Sequence, residues 1–434
     1  MDSDVIIVGA GTTGLTLANL LAAAGIRSAV YEAKAAPDTR MRAIGVTPPT
    51  LEILDRFGIG GPLVQRGVAV RRAEVYGDRR LLGSVSFDGI HSRYPFILSV
   101  PQTRIEHLLR SAAEANNLVR VHYGAEVVSV EPGATPSRAD DNLRTGDSGL
   151  EPRPVVRPTG ITVRFRDGRS VNGLYACICS GASGFRPFPV MRRRRYRRLF
   201  LIGDYPDTGR LGDIARLYFS RDGSVESFPL PAGMRRWIVQ LTGRASRTVL
   251  DEATVSAMLT TYVNRRTGIR LPAGLPHWWS SFRPERHELA HFARFGMFAA
   301  GDVAHSMSPI GGQGMNTGIA DAELAADLIA GRTMTPESPA VTSHTPMIDM
   351  VSGTRLYEKV RRKAGRSASR RAAASMFVGT VGGVPGSAIR NALLRAALTL
   401  IPDRAIASHF AMLTIPGHRS PLSFTARTIS SRPQ

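Results

Sequence analysis

The chain of 434 residues is poor in cysteine and lysine, and it has no long hydrophobic run. Its two cysteines, Cys177 and Cys179, stand two positions apart in an apolar stretch, where they would share one face of a strand. We interpret them as core residues rather than a disulfide or a metal site, and we expect no bound metal. No apolar stretch is long enough to span a membrane, and no secretory leader is recognisable. These absences favour a cytoplasmic protein.

The net charge of +21 comes almost wholly from arginine. Lysine occurs at only three positions, so the other 53 of the 56 basic residues are arginine. Such a bias is typical of a GC-rich genome, and we therefore expect no nucleic-acid partner. One cluster is denser than the rest and comprises Arg192, Arg193, Arg194 and Arg195. A charge run is usually a solvated face, but this one could also attract an anionic substrate, a membrane surface or a carrier protein.

A βαβ unit is predicted at the start of the sequence. The β-branched run at residues 5–8 ends at a glycine, a helical pattern follows from Gly14, and residues 28–32 form a second strand-like run. This spacing favours a mostly parallel sheet with helices on its faces. Because a chain of this length with 43% hydrophobic residues is better divided between two domains, we expect a second domain.

The later segments predict an antiparallel sheet and a helical end. Strands are expected at 73–76, 81–87, 199–202, 215–219, 225–230, 236–242 and 295–300, with a hairpin at 161–165 and 171–179. Helical patterns occupy 50–57, 103–116, 253–264, 319–329, 354–374 and 388–401. The stretch 132–160 is rich in Pro, Gly and Ser and is predicted to be a surface insertion.

The first glycines fit the dinucleotide-binding fingerprint Gly-x-Gly-x-x-Gly between a strand and a helix. Gly9 would make the tight turn, Gly11 would let a pyrophosphate approach the backbone, and Gly14 would allow close helix packing. The helix N-terminus offers N–H groups to the phosphates, and Glu32, about twenty residues on, would accept hydrogen bonds from a ribose. Thr13 and Ala33 are also predicted to contact the bound dinucleotide. This segment alone does not separate FAD from NAD.

A second glycine-rich loop begins with Gly301 and Asp302 and continues through Pro309, Gly312, Gly314, Met315 and Asn316. This segment resembles the GD motif and following loop of the class A flavoprotein monooxygenases, the relatives of para-hydroxybenzoate hydroxylase. The resemblance implies that Asp302 binds the ribityl chain of FAD and that Pro309 lies beside the flavin ring. It also implies that Gly314, Met315 and Asn316 meet the pyrimidine edge, where backbone N–H groups stabilise the negative charge of reduced flavin.

Two further segments are similar to the same family, and one departs from it. The segment starting at Arg42 and the helix start at Gln102 match stretches whose arginine and glutamine contact the cofactor. The family's Asp-Gly motif, associated with FAD ribose and nicotinamide contacts, is replaced here by Ser180-Gly181. A hydroxyl can still bind a ribose, but it carries no charge. The resemblance therefore implies FAD more firmly than it implies NAD(P)H as the reductant.

The resemblance implies an α/β fold, with a Rossmann-like FAD-binding domain, an inserted antiparallel-sheet substrate domain and a helical C-terminal region. We assign residues 1–72, 95–189 and 285–345 to the FAD domain, 73–94 and 190–284 to the substrate domain, and 346–434 to the C-terminal region and tail. The implied activity is hydroxylation of an aromatic or polycyclic small molecule of secondary metabolism by O2 through a flavin C4a-hydroperoxide.

Side chains on the predicted strands would line the substrate pocket, namely Tyr218, Phe228, Trp237 and Gln240. Core packing of that sheet is the alternative for each of them. No catalytic residue and no oligomeric state is identifiable from the sequence. Epoxidation and Baeyer–Villiger insertion would use the same flavin chemistry. Halogenation is disfavoured because the three lysines fall outside the positions that such enzymes use, and a membrane- or carrier-docking flavoprotein is the other rival.

Overall fold

The computed structural model describes residues 3–37, 43–133, 160–209, 211–247, 250–308, 312–331 and 350–417. Within these ranges the strands are β1 Val5–Val8, β2 Ser28–Glu32, β3 Gly45–Val46, β4 Val68–Val70, β5 Arg72–Gly77, β6 Arg80–Ser86, β7 Ile97–Ser99, β8 Val119–Tyr123, β9 Val127–Pro132, β10 Ile161–Phe165, β11 Ser170–Gly173, β12 Tyr175–Ile178, β13 Val190–Arg195, β14 Leu199–Pro206, β15 Ile214–Ser220, β16 Gly223–Leu230, β17 Met234–Leu241, β18 Trp278–Phe282, β19 Glu285–Leu289, β20 Ala293–Arg294 and β21 Met297–Ala299. The helices are α1 Thr12–Ala23, α2 Pro48–Asp55, α3 Gly60–Val64, α4 Gln102–Glu114, α5 Glu252–Thr267, α6 Gln313–Ile329, α7 Met350–Thr380, α8 Val384–Leu400 and α9 Asp403–Phe410.

The first layer is a six-stranded sheet in the order β20-β21-β12-β1-β2-β8. Its central pairs β21–β12, β12–β1, β1–β2 and β2–β8 are parallel, and only β20 runs antiparallel. Every residue of β1 is buried, as expected for a parallel strand covered on both faces. The predicted βαβ unit is confirmed, and α1 packs between α4 and α6.

The second layer is a seven-stranded sheet in the order β18-β14-β17-β16-β15-β5-β6. Helix α5 covers one face, where Val255, Leu259 and Val263 join the buried side chains of the sheet. The sheet differs from the expected antiparallel pattern at one pair, because β5 and β15 run parallel. These two strands are far apart in the chain, so no hairpin fixes their relative direction. The domain boundaries given above remain a proposal.

The C-terminal helices pack against both layers. In α7, Ala364, Ala368 and Ala372 pack against Met307. Helices α8 and α9 cover β5 and β6, where glycine leaves room: a Cβ at Gly83 would lie 2.9 Å from Cβ of Leu398. The short helix α9 was not predicted, since eight residues give little periodic signal. Among the described helices, none is both long and apolar enough to cross a bilayer.

One strand prediction needs revision. The second arm of the predicted hairpin, 171–179, divides into β11, which pairs with β10, and β12, which enters the parallel sheet. The division falls at Gly173, where a Cβ would lie only 3.0 Å from Cγ1 of Ile6. The loop sheet β11-β10-β9 is thereby separated from the buried layer. Residues 134–159, most of the predicted surface insertion, lie outside the described residues.

The arginine cluster forms β13, an exposed strand paired with β19. Glu285 of β19 binds two of the four arginines, with Nε of Arg193 at 2.5 Å and Nε of Arg195 at 3.0 Å. The hydrogen bond from Arg193 is the main cause that lowers the pKa of Glu285. Glu285 therefore balances part of the positive charge of the cluster, which the run of four arginines in the sequence does not show.

Candidate cofactor and substrate site

Two of the three fingerprint glycines, Gly9 and Gly14, are required by local geometry. Gly9 has φ +107°, and a Cβ there would lie 2.5 Å from the carbonyl oxygen of Cys179 at the end of β12. A Cβ at Gly14 would lie 2.0 Å from the carbonyl oxygen of Gly9, so only glycine lets α1 approach the turn. At Gly11, by contrast, no described atom lies within 4 Å of the Cβ position. The backbone of Gly11 is thus open to a ligand beside the first turn of α1.

Glu32, at the end of β2, is held beside this turn. Its Oε2 accepts a hydrogen bond from the backbone N–H of Ala10 at 2.9 Å, and its Oε1 accepts one from the N–H of Lys34 at 3.1 Å. Ala33, which stands between Glu32 and Lys34 in the sequence, is exposed. A carboxylate has about four lone-pair sites, so acceptor capacity remains for ribose hydroxyls.

The two glycine-rich loops meet at Thr13. Its Oγ1 lies 2.7 Å from the Cβ position at Gly301 and 2.5 Å from that at Gly318. Gly301 also has φ +74°, which favours glycine. A side chain at either glycine would push α1 away from the second loop. Close backbone packing therefore brings together two segments that are almost 300 residues apart in the sequence.

Asp302 lies in the short 3-10 turn Gly301–Val303 and is exposed. Its Oδ1 lies 3.3 Å from the Cβ position at Gly314, so its carboxylate faces the first turn of α6. Helix α6 begins at Gln313, earlier than the predicted 319–329, and Gly314 and half-buried Met315 therefore belong to its first turn. Pro309 lies outside the described residues.

Asn316 makes all four hydrogen bonds available to a side-chain amide. Its Oδ1 accepts from the backbone N–H of Thr47 at 3.0 Å and from Oγ1 of Thr47 at 3.2 Å. Its Nδ2 donates to the carbonyl oxygens of Gly45 at 3.0 Å and Gly312 at 2.7 Å. The side chain is buried and fully used within the protein. It positions the start of α6, so a contact with a flavin at this residue would come from its backbone.

A buried ionic network links the second glycine-rich loop, which begins at Gly301, to α6 and α7. Asp321 of α6 accepts hydrogen bonds from the N–H of Gly301 at 2.8 Å, Nε2 of His305 at 2.6 Å and Nε of Arg361 at 2.5 Å. Burial raises the pKa of Asp321, but His305 and Arg361 outweigh it, so the net shift is downward. Burial lowers the pKa of His305, and Asp321 reverses that shift. Sequence reasoning missed this network because nothing local pairs these residues.

His287 of β19 fixes the middle of the same loop. Its Nε2 lies 3.0 Å from the carbonyl oxygen of Val303, which can only accept, so Nε2 carries the proton. Its Nδ1 then accepts from Oγ of Ser306 at 2.9 Å. Burial lowers the pKa of His287, which keeps the ring neutral in this arrangement. Backbone and side chain together hold residues 303–306 against β19.

Gln102 begins α4 and contacts the segment after β2. Its Oε1 accepts from the N–H of Ala43 at 3.1 Å, and its Nε2 donates to Oε1 of Glu106 at 2.8 Å. Arg42, the neighbour of Ala43, lies outside the described residues. The two predicted contact segments therefore adjoin each other, and the role of each toward a cofactor stays a prediction.

The altered Asp-Gly segment has a structural function. The hydroxyl of Ser180 donates to the carbonyl oxygen of Phe185 at 2.6 Å and closes a tight turn. A Cβ at Gly184 would lie 2.3 Å from the carbonyl oxygen of Ser180, which requires glycine there. Because the proton of Ser180 is used locally, this residue can offer a cofactor only its acceptor lone pairs.

The four predicted pocket residues divide between the two faces of the seven-stranded sheet. Tyr218 and Trp237 are buried on the face that packs against α5. Phe228 and Gln240 lie on the opposite face, because side chains alternate along β16 and β17. Gln240 is fully buried, and its Oε1 accepts from the N–H of Ser224 at 3.1 Å. The alternation could be read from the sequence, but the face covered by α5 could not.

The residues present fit an FAD molecule. The N-termini of α1 and α6 lie on either side of the Thr13 contact, and neither has a side-chain cap in the described part of the chain. Uncapped N–H groups and the helix dipole suit a pyrophosphate and an anionic ring edge. Gln313 is buried, and its Oε1 has no hydrogen-bond partner among the described residues. An acceptor of this kind suits an N–H donor on a bound ring system.

Comparisons with known proteins agree with this geometry. The family model described as FAD binding domain matches residues 2–151 and 211–333, together more than half of the chain. A 6-methylpretetramide 4-monooxygenase of Streptomyces rimosus is 31% identical over 330 residues, which cover 73% of this chain and 54% of that protein. The chain thus spans about half the length of this relative.

Solved structures share the fold. A p-nitrophenol 4-monooxygenase of Pseudomonas putida superposes with a TM-score of 0.74 at 19% identity, covering 95% of this chain and 98% of the other. A variant of HpxO from Klebsiella pneumoniae, solved in complex with FAD, has a TM-score of 0.69 at 19% identity and covers 93% and 99%. The matched family model, together with the 31% identical relative, establishes that the chain belongs to the FAD-binding domain family, among the class A flavoprotein monooxygenases.

Proposed function

We propose that the protein is an FAD-dependent monooxygenase that hydroxylates an aromatic or polycyclic small molecule, with NAD(P)H as reductant and O2 as co-substrate. The observation that carries the proposal is the contact of the two glycine-rich loops at Thr13, Gly301 and Gly318, which joins two helix N-termini and two acids, Glu32 and Asp302, in one site. The names of relatives, which are monooxygenases of 6-methylpretetramide and p-nitrophenol, support the reaction class.

The bound flavin would supply the oxygen-transfer chemistry, and the chain would supply its binding and orientation. Glu32 would bind the ribose, the N-terminus of α1 the pyrophosphate, and Asp302 the ribityl chain. The first turn of α6, held in place by Asn316, would stabilise negative charge on the pyrimidine edge. The face of the seven-stranded sheet away from α5 would hold the substrate and exclude water from it.

The test uses the purified full-length protein. We expect it to be yellow, to release FAD on denaturation, and to transfer one atom of isotopically labelled O2 to a hydroxylated polycyclic substrate while it oxidises NADPH. Mass spectrometry of the product detects the transferred atom, and labelled water in place of labelled O2 is the control. A colourless protein that cannot be reconstituted with FAD would contradict the proposal, as would a product whose oxygen comes from water.

A further inference from the structure

Glu226 is a buried acid in the sheet that sequence reasoning did not single out. It lies in the middle of β16, is 7% exposed, and shares the sheet face of Ser224 and Phe228. Its neighbour Val225 points the other way, into the side chains packed on α5. Burial is the only cause that shifts its pKa, which it raises to about 7. No hydrogen bond or charge from the described residues contributes to that shift.

A buried carboxyl without a partner is unfavourable, and native proteins pair nearly all such groups. The cross-strand neighbours of Glu226 are Leu217 on β15 and Ile238 on β17, and both are half-buried apolar side chains. They provide an apolar surface beside the carboxyl, on a sheet face that also carries Ser224, Gln240 and the buried ion pair of Arg236 with Asp204. Such a surface suits a flat apolar molecule that carries one hydrogen-bond donor.

The face that carries Glu226 is turned toward the cofactor domain. At one end of β16, Oγ of Ser99 donates to the carbonyl oxygen of Pro229 at 2.6 Å, which links β16 to the segment before α4. At the other end, the Cβ position at Gly379 of α7 lies 3.7 Å from Oγ of Ser224. Helix α7 also packs on Met307 of the second glycine-rich loop. Glu226 therefore lies between two points where β16 contacts elements that also support the cofactor loops.

We propose that Glu226 is a catalytic residue that binds the substrate through a phenolic or enolic hydroxyl and accepts its proton. The inference rests on the proposed monooxygenase function and deepens it by assigning the residue that accepts the substrate proton. The substrate O–H bond breaks, its proton goes to a carboxylate oxygen of Glu226, and the electron pair stays on the substrate oxygen. The resulting oxyanion makes the ring more electron-rich and more reactive toward an electrophilic oxygen, while Leu217 and Ile238 pack against the ring.

The test compares two probes, 2-naphthol, which keeps its phenolic proton at pH 8, and its methyl ether, which has no O–H donor. Titration of the FAD-loaded full-length protein, followed by absorbance at pH 8, gives a dissociation constant for each probe. We expect the parent to prefer 2-naphthol about 10- to 100-fold, the range for a hydrogen bond to a charged group, and Glu226→Gln to lose that preference. Glu226→Asp keeps the carboxylate and should retain part of the preference.

The matched control is Glu74→Gln, which removes a buried carboxylate of the same sheet on the α5 side, where Glu74 pairs with Arg216 at 3.0 Å. It should bind both probes as the parent does. FAD content of each variant reports folding. Equal preference for 2-naphthol in the parent and in FAD-loaded Glu226→Gln overturns the inference, and so does a parent that does not prefer 2-naphthol. Transfer of labelled oxygen to the methyl ether would then leave the monooxygenase proposal standing.

Discussion

The backbone N–H of Gly301 donates a hydrogen bond to the carboxylate of Asp321 at 2.8 Å, which ties the glycine before Asp302 to the middle of α6. The same carboxylate accepts from His305 and Arg361, so one buried acid joins the loop, α6 and α7. The arrangement places the exposed carboxylate of Asp302 on a rigid support. A side chain held in this way would lose little conformational freedom on binding a cofactor.

We predict that Asp321→Asn destabilises the fold strongly. The substitution leaves the guanidinium of Arg361, which is fully buried, without its carboxylate partner. Loss of one partner of a buried pair costs about 3–5 kcal/mol in the free energy of unfolding. Urea unfolding followed by circular dichroism measures the change. The control Asp167→Asn breaks an exposed pair with Arg169, which solvent screens, and should leave the urea midpoint close to that of the parent. Equal midpoints for the two variants would contradict the prediction.

Asp302→Ala should weaken FAD retention without destabilising the apoprotein. The residue is exposed in the protein alone, and a charged hydrogen bond to a ligand hydroxyl is worth about 1.5–3 kcal/mol. The dissociation constant for FAD, measured by flavin fluorescence, should therefore rise about 10- to 100-fold. Unchanged retention of FAD would remove Asp302 from the site.

Two neighbouring glycines should respond differently to alanine. Gly14→Ala places a Cβ 2.0 Å from the carbonyl oxygen of Gly9, so the apoprotein should lose stability. Gly11→Ala meets no described atom within 4 Å and has an ordinary φ of −79°, so the apoprotein should keep its melting temperature. Its methyl group would instead block the approach of a pyrophosphate, and FAD affinity should fall. Thermal melts with and without FAD separate the two effects, and equal FAD affinity in Gly11→Ala and the parent would show that the pyrophosphate does not pass there.

The parts of the site that were predictable are those set by local sequence. The strand, glycine turn and helix of residues 5–23 and the acid at Glu32 follow one another in the chain, so their spacing identifies the unit. The side chains that hold the site together have distant partners. Asn316 bonds to Thr47, 269 positions away, and Asp321 to Arg361, 40 positions away. No periodic pattern encodes such pairs.

The face of the seven-stranded sheet that packs against α5 was the second feature that could not be predicted from the sequence. Alternation along β16 and β17 separates Phe228 and Gln240 from Tyr218 and Trp237, but it does not tell which set faces α5. That choice depends on how a helix from residues 252–267 packs on the sheet. Glu226 did carry a signal, since a charged residue in the middle of an otherwise uncharged strand needs a reason.

Glu226→Gln should raise stability at pH 8 and have little effect near pH 4.5. Burial raises the folded-state pKa of Glu226 to about 7 from its ordinary 4.5. Between these values the folded protein binds more protons than the unfolded chain, so the free energy of unfolding falls as pH rises through this window. The neutral amide removes this loss, on the order of 3 kcal/mol above pH 7. Urea midpoints at pH 5 and pH 8 measure it, and a difference that does not depend on pH would contradict the assignment.

The exposed strand β13 offers a test of electrostatic steering. We hypothesise that its arginines attract an anionic partner such as NADPH, although Glu285 already pairs with Arg193 and Arg195. Replacing all four residues 192–195 by glutamine should lower kcat/KM for NADPH at low salt. The deficit should shrink as salt rises, because the Debye length is only about 8 Å at physiological ionic strength.

A double variant separates the paired from the unpaired charges of this strand. Arg192→Gln with Arg194→Gln removes the two arginines that do not bind Glu285, and it should account for most of the deficit. Arg193→Gln with Arg195→Gln leaves the carboxylate of Glu285 without these two arginine partners. The weaker attraction of this variant for NADPH would therefore include repulsion by that carboxylate. Stopped-flow measurement of flavin reduction over a range of NaCl concentrations gives the salt slope for each protein. If the fourfold variant and the parent have the same slope, the cluster is a solvated strand that follows the arginine bias of the sequence, and the carrier-docking idea loses its basis.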